Sequence, residues 1–158
     1  MEAVTREVSL VEELRKSFPE VVLEAKVQRK YRVEVKVMRE GLVEVASFLK
    51  ESLGFDYAVS VTGVDYPARN EFEVIYHVWS ISGKILLALK TAVPKDQPRI
   101  DTLSQVWESA NLHERETYEM LGLEFEGHPN LKGLLLPEGW DKGYPLRKDF
   151  KLPTGPQG

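Results

Sequence analysis

The sequence predicts an α+β domain built on a mostly antiparallel sheet, with helices packed on one face and an extended C-terminal tail behind it. Three observations carry this reading. Apolar residues alternate with polar ones between Val21 and Met38, and three further strand-like runs follow between Phe55 and Val93, as half-buried strands require. Two stretches, Val8 to Phe18 and Gly41 to Leu53, instead space their apolar residues three and four apart, the mark of a helix with one buried stripe. From Gly122 onward the composition changes, since seven of the eleven glycines and five of the nine prolines lie there. Residues 1–122 are therefore assigned to the domain and residues 123–158 to the tail, which docks on its own domain and on a partner.

In the first helix Val8, Leu10, Val11, Leu14 and Phe18 form the stripe and Pro19 stops it. The next stretch sets Val33, Val35 and Val37 against Arg32, Glu34 and Lys36, a hairpin expected to turn at Gln28-Arg29-Lys30. In the second helix Leu42, Val45, Ala46, Leu49 and Leu53 line up, and Gly54 ends it. Phe55 to Val64, Phe72 to Ser80 and Lys84 to Val93 are then expected to form an antiparallel meander, turning at Pro67 to Asn70 and at Gly83. Pro94 to Pro98 interrupts the pattern, and Asp101 or Thr102 is placed to cap a helix running toward Trp107 and on into a charged run.

That run, His113 to Gly122, is the stretch around which the rest is organised. Helix formers fill it and Gly122 stands where a left-handed residue would end it. Ala110, Glu114, Tyr118 and Leu121 share one face, which puts a carboxylate in an apolar stripe, where it must be paired or protonated. The basic cluster Arg147-Lys148 in the tail supplies a partner, so Glu114 or Glu116 is expected to pair with Arg147 or with a basic residue of a neighbour. The tail is no flexible linker, because Phe125, Leu131, Leu134, Leu135, Leu136, Trp140, Tyr144, Leu146 and Phe150 need a surface.

Composition sets the bounds. A chain of 158 residues supports one core, and a net charge of −4 with no concentrated basic face argues against nucleic acid. The absence of cysteine excludes iron–sulfur ligation, thiol catalysis, disulfides and cysteine-based zinc sites in this chain. No apolar run approaches a membrane span and the first residues lack a signal-peptide core, so an intracellular soluble chain is expected. Scarce Asn and Gln beside abundant Glu, Lys, Arg and Val follow the thermophile pattern.

Catalytic chemistry is mostly refused. His113-Glu114 starts like the zinc-protease helix, but the second histidine is missing because position 117 is Thr. Glu116 and Glu119 lack the Glu-x-x-His partners of a di-iron site, His77 fits a sheet histidine and His128-Pro129 a turn. No nucleophile elbow, phosphate loop or dinucleotide fingerprint occurs. The residues alone describe an interaction module. The competing readings are a small hydrolase using Glu114 or Glu116 with His113 or His128, and a free-standing binding domain.

Glu114-Arg115-Glu116, Glu119-Met120-Leu121-Gly122, Phe125, His128-Pro129, Leu131, Leu134-Leu135, Trp140 and Pro145-Leu146-Arg147-Lys148-Asp149 stand in a distinctive order and spacing. Together they resemble the signature of the C, or thirty-kilodalton, subunit of respiratory complex I (NADH:quinone oxidoreductase) and its relatives in membrane-bound nickel–iron hydrogenases and formate hydrogenlyases. Glu119 stands where Asp is usual, Gly133 where a basic residue is common, and Lys151 where Pro commonly follows the aromatic. The resemblance implies a structural subunit of the peripheral arm, held at the cytoplasmic face of the membrane through its partners. Those partners are a large hydrogenase-like subunit and a small iron–sulfur subunit, with the ion-translocating membrane arm only indirectly in contact. This chain would bind no cofactor, and iron–sulfur clusters with nickel–iron or quinone and flavin sites would lie in the partners. Its stop soon after the signature favours the hydrogenase-like or another ancestral branch over a long complex I form, with the thirty-kilodalton subunit of complex I proper as the alternative.

Overall fold

A computed structural model describes residues 4–152. Helix α1 (Thr5–Ser17) leads into a hairpin of β1 (Val22–Arg29) and β2 (Arg32–Val37), then a 3-10 turn and helix α2 (Leu42–Glu51). A meander of β3 (Tyr57–Tyr66), β4 (Glu71–Ser80) and β5 (Ile85–Pro94) follows. After it come a short strand β6 (Arg99–Asp101), helix α3 (Ala110–Leu121) and a short strand β7 (Glu124–Glu126). The five long strands form one sheet in the order β1-β2-β5-β4-β3, antiparallel except where β2 runs alongside β5. The fold is thus α+β with a mostly antiparallel sheet, as expected.

One face of the sheet is the core. Val33, Val35 and Val37, Phe72, Val74, Tyr76 and Val78, and Leu87, Leu89 and Val93 point into it, every second residue along each strand. The stripes of the helices close over them, with Leu10, Val11 and Leu14 from α1, Leu42, Val45, Ala46 and Leu49 from α2, and Ala110 and Leu121 from α3. Most residues on the alternate face stay half-buried or exposed, as Ile75, His77 and Trp79 do on β4, with Glu73 and Ala88 the buried exceptions.

Two local expectations are corrected. The first hairpin turns at Lys30 and Tyr31, because Arg29 still pairs with Arg32 in the ladder. Tyr31 takes the left-handed conformation (φ 67°), and its N–H is held by the Glu7 carboxylate at 2.8 Å. The expected helix beginning at Asp101 or Thr102 does not form either. Residues 99–101 enter β6 instead, and turns carry the chain to α3, with Val106 and Trp107 both donating to the Leu103 carbonyl. The Trp107 indole is buried there and donates to the Phe55 carbonyl at 2.9 Å. β6 pairs in parallel with β7, and Leu123 and Phe125 are buried in the core beside it.

α3 lies close against β3 because Gly63 leaves it room. A Cβ at Gly63 would stand 2.3 Å from Leu121 Cδ1 and 2.9 Å from Thr117 Cγ2. Both atoms belong to a buried, packed helix face that has little space to yield. Gly63→Ala should therefore lower stability by about 1–3 kcal/mol, the usual range for overpacking, seen as a lower urea midpoint at unchanged slope.

Candidate functional site

Three attachments fix α3. At its start Ser109 Oγ donates to the Ala58 carbonyl (2.8 Å) and accepts the Ala58 N–H (3.0 Å), which ties the helix to the beginning of β3. In its middle Glu114 is wholly buried, and its carboxylate accepts the Tyr76 hydroxyl (3.0 Å), the Leu103 N–H (2.8 Å) and the Thr102 hydroxyl. At its end Gly122 adopts φ +76° and donates its N–H to the Tyr118 carbonyl, 2.9 Å away. The Tyr144 ring lies over Gly122 so closely that a Cβ there would come within 2.5 Å of it.

The expected pairing of Glu114 with Arg147 is not what the structure shows. Neutral donors from β4 and from the turn after β6 surround the carboxylate, and they satisfy both its oxygens without a guanidinium. Burial pushes the Glu114 carboxyl up, while Thr102, the Leu103 N–H, Tyr76 and the nearby His128 draw it part of the way back. The Tyr76 hydroxyl is driven well above its ordinary range by burial and then by the Glu114 charge.

The neighbouring charges of α3 grip the tail by its backbone. Arg115 donates from Nε to the Lys132 carbonyl (3.2 Å) and from Nη2 to the Gly133 carbonyl (2.9 Å). Glu119 accepts the Leu135 and Leu136 N–H groups at 2.7 and 2.9 Å. Burial alone would raise the Glu119 carboxyl, but the N–H groups of residues 134–136 and the Arg115 charge hold it below the usual range. Glu116 is half-buried and has no hydrogen bond or ion pair among the described residues.

A second grip holds the segment Pro145–Asp149. The Leu146 N–H reaches the Met120 carbonyl (3.0 Å), Arg147 Nε reaches the Leu121 carbonyl (2.8 Å), and the Lys148 N–H reaches Asp65 Oδ2 (2.8 Å). The Arg147 guanidinium also stacks 4.4 Å over the Tyr144 ring and 5.3 Å over Phe72, a cation on two aromatic faces. Asp65 is buried on β3, and its other oxygen meets Lys95 Nζ at 2.6 Å. Burial would raise the Asp65 carboxyl, but Lys95 and the Lys148 N–H outweigh it and set it below the ordinary value.

The remaining signature residues shape turns. His128 lies between the Asn111 carbonyl on Nε2 and the Asn130 N–H on Nδ1, each 3.0 Å away, and Pro129 beside it is exposed. Trp140 donates to the Gly143 carbonyl at 2.7 Å, Pro145 is half-buried, and Asp149 is exposed. After β7 the tail forms no helix or strand among the described residues, and it is held to the domain at a series of pinned turns. Glu114 is sealed from solvent and both His128 nitrogens are engaged, so these residues do not form the carboxylate–histidine pair a hydrolase would need. Among the described residues no three His, Asp or Glu side chains converge as a metal-binding group, and no helix is long and apolar enough to cross a membrane.

Tyr76, Thr102, Asp65 and Lys95 hold this site together, and sequence reasoning did not place them there. Local spacing offers Thr102 only as a helix cap. Asp65 and Lys95 lie far from the tail in sequence, and no local pattern marks either.

Fold and site together define a small α+β domain whose last helix grips the backbone of its own C-terminal segment. The chain belongs to the family described as the respiratory-chain NADH dehydrogenase 30 Kd subunit, which it matches over residues 35–156. It is 42% identical over 143 residues to a subunit of the F(420)H(2) dehydrogenase of Methanosarcina mazei, covering 90% of each chain. It is 43% identical over 141 residues to a subunit of the NADH-quinone oxidoreductase of Geobacter metallireducens, covering 88% of this chain and 86% of the other. A chain in the structure of the membrane-bound sulfane sulfur reductase, an archaeal respiratory membrane complex, superposes with a TM-score of 0.76 at 26% identity, over 93% of this chain and 86% of that one.

Glu114→Ala should lose about 3 kcal/mol or more, since it opens a hole and strands buried donors, whereas Glu114→Gln should lose much less. The raised Glu114 carboxyl favours the fold most when protonated, and this contribution is lost as pH rises through its folded value. Urea titrations at several pH values should accordingly show the gap between wild type and Glu114→Gln narrowing as pH increases. Asp65 has the opposite sign. Its carboxyl is held low, so the tail grip is complete above the unfolded-state pKa of about 3.9 and is lost as pH falls through the folded value. Hydrogen exchange should find the Lys148 amide protected at neutral pH, and unprotected in acid and in Asp65→Ala.

Proposed function

We propose that this chain is a structural subunit of the peripheral arm of a complex I-like, membrane-associated oxidoreductase, with its pinned tail laid across the large hydrogenase-like subunit. One observation carries the reading. The tail is held to its own domain by backbone groups, while Leu134, Leu135, Tyr144, Leu146 and Leu152 remain 39%, 60%, 41%, 54% and 82% exposed. Backbone pinning with apolar side chains outward is the form of a preorganised docking surface, because the ordering entropy is already met before the partner arrives. A cavity of about 690 Å³ between α3 and the tail, lined in part by Tyr118, Trp140 and Tyr144, adds a recess for a partner side chain.

Iron–sulfur clusters and the substrate site would lie in the large subunit and a small iron–sulfur subunit. This chain's part is to hold them in register at the membrane face. Relatives at 42% and 43% identity are named as subunits of an F(420)H(2) dehydrogenase and an NADH-quinone oxidoreductase, which supports the complex I branch over the hydrogenase-type branch expected from the sequence.

The test is assembly. Leu135→Asp combined with Leu146→Asp should leave the melting temperature of the isolated chain unchanged and weaken co-purification of the large subunit about tenfold or more. Arg147→Ala should weaken it too, and Arg147→Lys should restore it only in part, because an ammonium can donate to the Leu121 carbonyl but stacks poorly on Tyr144. Full assembly of all these variants at low and high salt would sink the proposal.

A further inference from the structure

The uncovered face of the sheet carries rows of residues, one from each strand, set by the ladder registers. The row nearest the β1–β2 and β4–β5 turns is Tyr57, Trp79, Leu86, Arg32 and Arg29. Three apolar side chains are followed by two guanidiniums. The next two rows end in Glu34 and Lys26, and in Lys90, Lys36 and Glu24, and there two acids offset two of the three cations. Lys26 lies 3.3 Å from Glu34 and 3.5 Å from Glu24, and Lys90 also pairs with Glu34. The first row has no such balance. Arg29, Arg32 and the adjoining Lys84 are exposed and make no ion pair among the described residues.

The local field is therefore positive in a chain whose net charge is −4. His77, one row in, is held below its usual pKa by burial and then by the charges of Arg32 and Lys90. The apolar part is accessible as well, with Tyr31 44%, Tyr57 41% and the bulged Val59 46% exposed. Tyr31, Trp79 and Leu86 line a cavity of about 650 Å³ whose rim is formed by the cations. Trp, Tyr and Arg are the residues that dominate interface hot spots, and charge complementarity chooses the partner.

We propose that this row is a second protein interface, separate from the tail, whose occupant is another subunit of the same assembly presenting an apolar side chain flanked by Asp or Glu. The proposal rests on the reading of the chain as a subunit of a larger assembly, and adds a face to it. The row lies on the side of the sheet opposite the core and at the far end of β4 from Phe72, over which Arg147 stacks, so one docking event leaves the other surface free. A second copy of this chain fits poorly, because it would bring more cations and no acid into the contact.

The experiment uses the intact complex, purified through a tag on this chain. Arg29→Glu with Arg32→Glu, and separately Trp79→Ala, should reduce one co-purifying subunit about tenfold or more, and that subunit should differ from the one lost with the tail variants. The double arginine variant alters exposed positions, so its melting temperature as an isolated chain should match wild type and exclude misfolding as the cause. A photo-cross-linker at position 86 should identify the contacted segment, and changing an acid in that segment to Lys should restore the Arg29→Glu, Arg32→Glu complex. Retention of every subunit in both variants overturns the proposal, as does loss of the same subunit by row and tail variants alike. Dimerisation of the isolated chain through this row in sedimentation experiments, or flotation with anionic lipid vesicles that the arginine variant abolishes, overturns the assigned partner. Because the tail variants are read in the same pull-down, failure here and failure of the subunit assignment remain distinguishable.

Discussion

The buried carboxylate of Glu114 sets the rotation of α3, and the rest of the site follows from that angle. Successive helical residues advance about 100°, so with Glu114 turned to Tyr76 and Thr102, Thr117 and Leu121 must face β3 and Glu116 must face away. Arg115 and Glu119, one turn apart on the adjoining flank, are brought side by side to the strip where residues 132–136 run. One charge is thus used for orientation and its neighbours for holding. A salt bridge at position 114 would have left the choice of angle to a long, flexible cation, whereas a Tyr ring from a central strand and a backbone N–H are fixed points.

Glycine and side-chain length are matched across the tail. Gly122 supplies the left-handed end of α3 and also the bare surface on which Tyr144 lies. A Cβ at 133 would be 2.9 Å from Glu119 Oε1, an atom pinned by a tail N–H and unable to swing aside cheaply. The bare backbone at Gly133 thus leaves the space that the Glu119 carboxylate occupies.

Periodicity made most of the fold legible. Val33, Val35 and Val37 announce one buried face, and Leu42, Val45, Ala46 and Leu49 one helical stripe, because burial acts on each residue at the period of its own element. The signature placed Arg115, Glu119, Gly122 and Arg147 at one site, and the oddity of an acid in an apolar stripe was visible at Glu114. Its partners were not. Tyr76 and Glu114 are separated by 38 positions and Asp65 and Lys148 by 83, so neither pair leaves a trace in local spacing. Short β6 and β7 escaped for a related reason: three residues are too few to show a period, and their pairing depends on the path of α3 between them.

The parallel seam between β2 and β5 has a consequence for how the chain comes together. On either side of it lie units that close locally, a hairpin and a meander, each made of strands adjacent in sequence. The seam joins Val33 to Leu87 and Val35 to Leu89, across a loop that contains the whole of α2, β3 and β4. Closing that loop is the slow, entropically expensive event. On a ribosome the N-terminal hairpin emerges early with only α1 to cover its valine face, and its β2 edge must wait unpaired until β5 has been synthesised, so the exposure of this nascent edge is set by elongation speed.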